Sequence, residues 1–119
     1  METPKIFESE YRFMQVLWEN EPINSTKLVG LCKEQLGWSK ATTYTVIRRL
    51  AERGVLVNEE TIVRSLISQD EVHASEIEEL VEKSFDDSLP RFLAAFTRRR
   101  KLKKEEVELL QKMIDEFEE

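Results

Sequence analysis

A chain of 119 residues, 40% hydrophobic and 35% charged, makes one compact unit or a small domain with an appendage, with a modest core. No apolar run approaches membrane-spanning length, METPKIFESE is not a signal peptide, and a single cysteine excludes an internal disulfide and fits a reducing cytoplasm. The net charge of −6 argues against general affinity for nucleic acid, but its distribution matters more: residues 1–68 hold nine Lys/Arg and nine Asp/Glu, residues 69–119 nine and fifteen.

In chain order, Ser9 is a candidate cap for a first helix on which Phe13, Met14, Leu17 and Trp18 share a face, and Pro22 stops it. Asn24 or Ser25 opens a second helix carrying Leu28, Leu31, Cys32 and Leu36, and Gly37 ends it in the left-handed conformation. Cys32 lies on the apolar face of that helix, which predicts a buried structural thiol. Ser39 is placed to cap a third helix, in which Thr43, Val46, Ile47 and Leu50 fall at i, i+3, i+4 and i+7 and face the core. Ala41, Thr42, Thr45, Arg48 and Arg49 occupy its other face. Small side chains allow close approach of a helix to the major groove, while hydroxyls and guanidinium groups reach phosphates and base edges. Alone, such a helix reads as an amphipathic surface helix; its neighbours change the reading.

Val55 to Val57 and Ile62 to Ile67 are strand-like, with Asn58 to Thr61 as the turn between them. Helix, helix, turn, helix, hairpin is the order of a winged helix-turn-helix, with the third helix as reader and the hairpin as wing. The wing is short and acidic at its turn, Glu59-Glu60, with Arg64 as its cation. Carboxylates facing phosphates repel, so this wing is expected to add structure and little binding. Between Lys40 and Arg53 four basic residues stand against Glu52 alone, and a locally positive helix on an acidic protein also orients it on DNA.

The C-terminal half opens with Ser68-Gln69-Asp70-Glu71, which has the form of a capping box, before a helix bearing Ile77, Leu80, Val81 and Phe85. After a break at Asp86-Asp87-Ser88, Pro90 suits the first turn of a helix carrying Leu89, Phe92, Leu93 and Phe96. Arg98 to Lys104 has two readings, a DNA-binding arm or localisation signal and a charged, solvated hinge whose charges pair with Glu105, Glu106 and Glu108 or with the acidic helix of a partner; its place away from the reading helix favours the hinge. Val107, Leu110, Ile114 and Phe117 then step by coiled-coil spacing. Three short helices cannot bury these faces against one another, so a homodimer through Leu80, Phe92, Phe96, Val107, Leu110, Ile114 and Phe117 is expected. The fold is therefore mainly α: a winged helix-turn-helix over 1–68 with a short hairpin wing, and a helical dimerisation region over 69–119. No catalytic residue and no metal or other cofactor is expected, since one His and one Cys supply no ligand cluster and three glycines leave no phosphate loop.

The sequence resembles the penicillinase-repressor (BlaI/MecI/CopY) family of bacterial transcription regulators over almost its whole length. The resemblance is carried by EYRFMQVLW at 10–18, Trp38 to Leu56, SLPRFLAAF at 88–96 and EEVELLQKMIDE near the end. Its most specific part is Thr42-Thr43-Tyr44-Thr45 through Arg49-Leu50, Gly54 and Leu56. The family implies a cytoplasmic homodimeric repressor on a palindromic double-stranded operator, released by a signal that triggers proteolysis or, in the copper-responsive branch, by metal. By position, Ala41, Thr42, Tyr44, Thr45 and Arg49 match family residues that approach DNA. Lys40 and Arg48 join them as phosphate contacts, and Ser39 as a donor at the helix start. The Cys-x-Cys tail of the copper branch is missing, which excludes that branch. At the family's Asn-Phe cleavage site this chain has Ala95-Phe96, so dependence on the same regulatory protease does not carry over. The alternative from another class is a winged-helix module that binds protein rather than DNA. The acidic sum and short wing favour it; the polar-basic reading face opposes it, because protein-binding helices expose larger apolar side chains.

Overall fold

The computed structural model describes residues 3–117. Helices α1 (Glu8–Asn20), α2 (Ser25–Leu36) and α3 (Lys40–Glu52) surround a core closed by a small sheet, followed by α4 (Gln69–Ser84), α5 (Leu89–Arg99) and α6 (Lys104–Asp115). The sheet is β1 (Ile23–Asn24), β2 (Leu56–Glu59) and β3 (Ile62–Ser65), antiparallel throughout, in the order β1-β3-β2. The chain divides into two compact units, the first ending at Glu76 and the second beginning at Ile77, so the division falls inside α4.

Local chemistry sets most element ends of the first unit. The start of α1 differs from the expectation: Ser9 lies within the first turn, and the orphan amide of Phe7 is met by the Glu10 carboxylate at 2.9 Å. Asn24 caps α2 by accepting from the Thr26 amide at 2.8 Å. Gly37, at φ 72°, ends that helix, with the amides of Gly37 and Trp38 returning to the carbonyls of Lys33 and Cys32. Gly54, at φ 79°, repeats the device after α3, where the Val55 amide reaches back to the Leu50 carbonyl at 2.9 Å. Phe13, Met14, Leu17, Leu28, Leu50, Val55 and Val63 are fully buried, and Trp38 stacks on Phe13 at 6.0 Å. Trp18 is half-buried and donates its indole N–H to the Ile67 carbonyl at 3.0 Å.

The hairpin is tighter than the sequence suggests. Glu59 pairs with Ile62, leaving a two-residue loop, Glu60-Thr61, with φ 51° and 69°. Both residues are left-handed, as a type I′ turn requires. The strand β1 is a further difference: Ile23 and Asn24 pair with Val63 and Ile62 and complete the sheet on its other side. At the start of α4, Ser68 accepts from the Glu71 amide at 3.1 Å, and His73 meets the Tyr11 hydroxyl at 2.5 Å.

In the second unit, Asp86 and Asp87 turn through the left-handed region, Ser88 caps α5 by accepting from the Arg91 amide, and Pro90 sits in the first turn. Phe85 and Phe92 meet edge-on at 5.7 Å, and Arg91 pairs with Asp86 at 2.5 Å. The residues after α5 leave the helix at Arg100 and re-enter at Lys104, a break inside the basic run. Among the described residues, none of Arg98 to Lys104 forms an ion pair with Glu105, Glu106 or Glu108, so the first of the two pairings expected for this hinge is not formed within the chain. No described helix is long and apolar enough to cross a membrane.

Candidate nucleic-acid interface

Helix α3 is oriented by its buried stripe. Thr43, Ile47 and Leu50 are sealed in the core, while Val46 is half-buried against it. Thr43 is a polar member of that stripe, and its hydroxyl donates to the Ser39 carbonyl at 3.1 Å. Beneath it lies the Cys32 thiol, whose pKa burial raises to about 11, partly countered by a hydrogen bond with Thr43. The thiol is buried, as its place on the apolar face of α2 predicts.

Fixing this stripe turns Ala41, Thr42, Arg48 and Arg49 outward, all exposed. At the helix start, Ser39 Oγ accepts from the Thr42 amide at 3.1 Å and donates to the Thr42 hydroxyl at 3.0 Å. With the Thr43 amide on the Ser39 carbonyl, the amides of Lys40 and Ala41 are the two that have no partner among the described residues. Free amides, the positive end of the helix dipole and the Lys40 ammonium together favour an anion there. Thr45 is half-buried, and Tyr44 is also half-buried, its hydroxyl donating to Ser25 Oγ at 3.4 Å. Tyr44 thus lies on the border between the outward face and α2.

The charges sort differently from the sequence count. Arg53 is consumed internally: it pairs with the buried Glu10, donates to the Lys5 carbonyl at 3.1 Å and lies over the Phe7 ring at 5.3 Å. Lys40, Arg48 and Arg49 have no ion pair among the described residues and carry the positive field of the outward face. Arg53 was inseparable from them in the sequence, because its partner Glu10 is on another helix. In the wing, Arg64 faces Glu59 of the neighbouring strand at 3.7 Å, diagonal to its register partner Val57, so the wing's cation is offset within the hairpin.

A link that no sequence pattern indicated joins the wing to the rest of the site. The Thr61 carbonyl accepts from the Ser25 amide at 2.7 Å, and Asn24 Nδ2 approaches the Thr61 hydroxyl at 3.3 Å. Asn24 therefore serves α2 with its oxygen and the wing turn with its nitrogen. Ser25 thus bonds both to the wing turn and to Tyr44.

The second unit presents the other predicted surface. Leu80, Phe96, Val107, Leu110, Ile114 and Phe117 are exposed and Phe92 is half-buried, while α5 and α6 bury no residue. The predicted seam on α6 omitted Leu109 and Met113, which are 62% and 60% exposed. They follow the seam's edge and broaden it to an arc wider than two packed helices cover.

Comparison with known proteins gives a consistent picture. Residues 6–116 match the model of the penicillinase repressor family. The solution structure of the DNA-binding domain of the repressor BlaI aligns with a TM-score of 0.53 at 24% identity, over 60% of this chain and 93% of that one. BlaI of Bacillus licheniformis, solved as a monomeric form in complex with the blaP half-operator, aligns with a TM-score of 0.51 at 25% identity and the same coverage. An uncharacterised 16.5 kDa protein in the ptsI 3′ region of Latilactobacillus sakei is 33% identical over 57 residues, 48% of this chain. Those residues make up 39% of that protein, so the chain spans well under half the length of this curated relative.

Proposed function

Since the chain belongs to the penicillinase repressor family, whose members are transcription regulators and not enzymes, we propose that it is a homodimeric repressor of a palindromic operator. The observation that carries the reading is the outward face of α3: three cations with no ion pair among the described residues, and small or hydroxyl side chains, opposite a sealed apolar stripe. The complex of BlaI with a half-operator, at 25% identity, supports the same use of the fold.

In this reading residues 1–68 read DNA and residues 69–119 dimerise. Ser39, Lys40 and Ala41 hold a phosphate at the start of α3. Thr42, Thr45 and Arg49 face the major groove, Arg48 reaches the backbone, and Tyr44 contacts the duplex with its outer edge. The exposed apolar arcs of α5 and α6 close against a second copy, and two-fold symmetry then matches two inverted half-sites. The protein acts in the cytoplasm, and an upstream signal relieves repression. A regulatory protease that needs an Asn-Phe bond finds Ala95-Phe96 instead, so that cleavage is not carried over to this chain.

Titration of duplexes carrying the gene's own upstream region tests this. Wild type is expected to bind them over a scrambled duplex. Arg49→Ala should lose about 1–3 kcal/mol of operator affinity with an unchanged melting temperature. Equal affinity for both duplexes would defeat the reading. The alternative, a protein-binding module, draws on Ile62 and Leu66, exposed at 41% and 52%, and the same titration decides between them.

A further inference from the structure

The wing turn holds two residues that a type I′ turn disfavours. Asn, Asp or Gly normally fill such left-handed positions, yet here they are Glu60 and Thr61, at φ 51° and 69°. Thr61 has an intramolecular reason to be there: its carbonyl and hydroxyl are both engaged at the start of α2, by Ser25 and Asn24. Glu60 has none. It is exposed and makes no hydrogen bond or ion pair among the described residues, whereas the neighbouring Glu59 is answered by Arg64.

A costly backbone position occupied by an unpaired charge points to a role outside the chain. The bonds of Thr61 fix where that charge stands, since Ser25 bridges the turn to Tyr44 on the border of the reading face. The screening length at 0.1 M salt is about 10 Å, so a carboxylate in the wing turn acts on those phosphates of a bound duplex that come within about that distance. We propose that Glu60, pinned by Thr61, is an electrostatic brake: it lowers affinity for every duplex, so that residence on DNA depends on the base contacts of α3. This rests on the DNA-binding reading above and adds a residue that works against binding.

The test titrates the full chain, Glu60→Gln and Glu8→Gln against an upstream-region duplex and a scrambled duplex, from about 50 to about 200 mM salt. Glu8 is the control because it adjoins Phe7, which packs on Arg53 at the far end of α3, about 20 Å from its start. Glu60→Gln is expected to bind both duplexes roughly three- to tenfold more tightly at low salt. That gain should fade as salt rises, with the log–log slope steeper by up to about one. Glu8→Gln should match wild type. Unchanged or weaker binding by Glu60→Gln overturns the proposal, and an equal gain in Glu8→Gln assigns the effect to total charge instead. A wild type with no preference for the upstream duplex counts against sequence-specific reading alone, because the brake is read from the ratio of variant to wild type on either duplex. Binding to neither duplex removes both.

Discussion

The two units of this protein solve the problem of apolar surface in opposite ways. In the first, Phe13, Met14, Leu17, Leu28, Leu50 and Val63 are sealed by three helices and a three-stranded sheet. In the second, Val81 is the one buried apolar residue among those described, and Leu89, Leu93, Phe96, Leu110 and Ile114 stand at least 38% exposed. Both halves have similar helix lengths and amphipathic patterns. What differs is closure: the first unit has a sheet and crossing helices to cap every stripe, the second has three short helices and no lid. One unit buries its apolar side chains within itself, whereas the other leaves most of its own exposed.

The sharpest way to break this comparison is to open the closed half. Phe13→Ala removes a fully buried ring stacked on Trp38, and should destabilise the first unit by about 3–5 kcal/mol in thermal unfolding. A cost below about 1 kcal/mol would mean that the core is far looser than its burial implies. In the open half the effect should fall on assembly instead. Leu110→Asp with Ile114→Asp should leave the first unit's melting unchanged, yield monomers by sedimentation, and weaken operator binding about a hundredfold through lost bivalency. A wild type that sediments as a monomer at micromolar concentration removes the basis for this.

A smaller effect probes how dry the closed half is. Burial raises the Cys32 pKa from the ordinary 9.0 to about 11, so the folded thiol keeps its proton where the unfolded one loses it. Stability should therefore be flat below about pH 9 and decline from there to about pH 11, since the unfolded state then binds fewer protons. Cys32→Ser should flatten that decline in pH-dependent denaturant titrations. At neutral pH a thiol reagent should label Cys32 only upon unfolding, and rapid labelling of the native protein would contradict its burial.

The helices, their inward faces and most of their caps, that of α1 excepted, were legible in the sequence because they depend on residues three or four apart. Ser39 before Lys40, Gly37 and Gly54 after their helices, and the stripe Thr43, Ile47, Leu50 could be read from spacing, and the structure contains them. The short period also exposed the outward set on α3, since knowing which face is buried identifies the face left over. Tertiary structure alone decided which charges and strands find partners far along the chain. Arg53 belonged to the basic cluster until Glu10, 43 residues away, neutralised it. A two-residue strand such as Ile23-Asn24 has no periodicity to detect and exists only because β3 offers an open edge. The wing turn, too, is only Glu60-Thr61, set by the β2–β3 register, and Thr61 is held by Asn24 and Ser25, contacts that bring residues 36 and 37 positions apart together. Local patterns encode what a segment must bury; only the assembled fold fixes which distant group answers each polar atom and which charge stays unanswered.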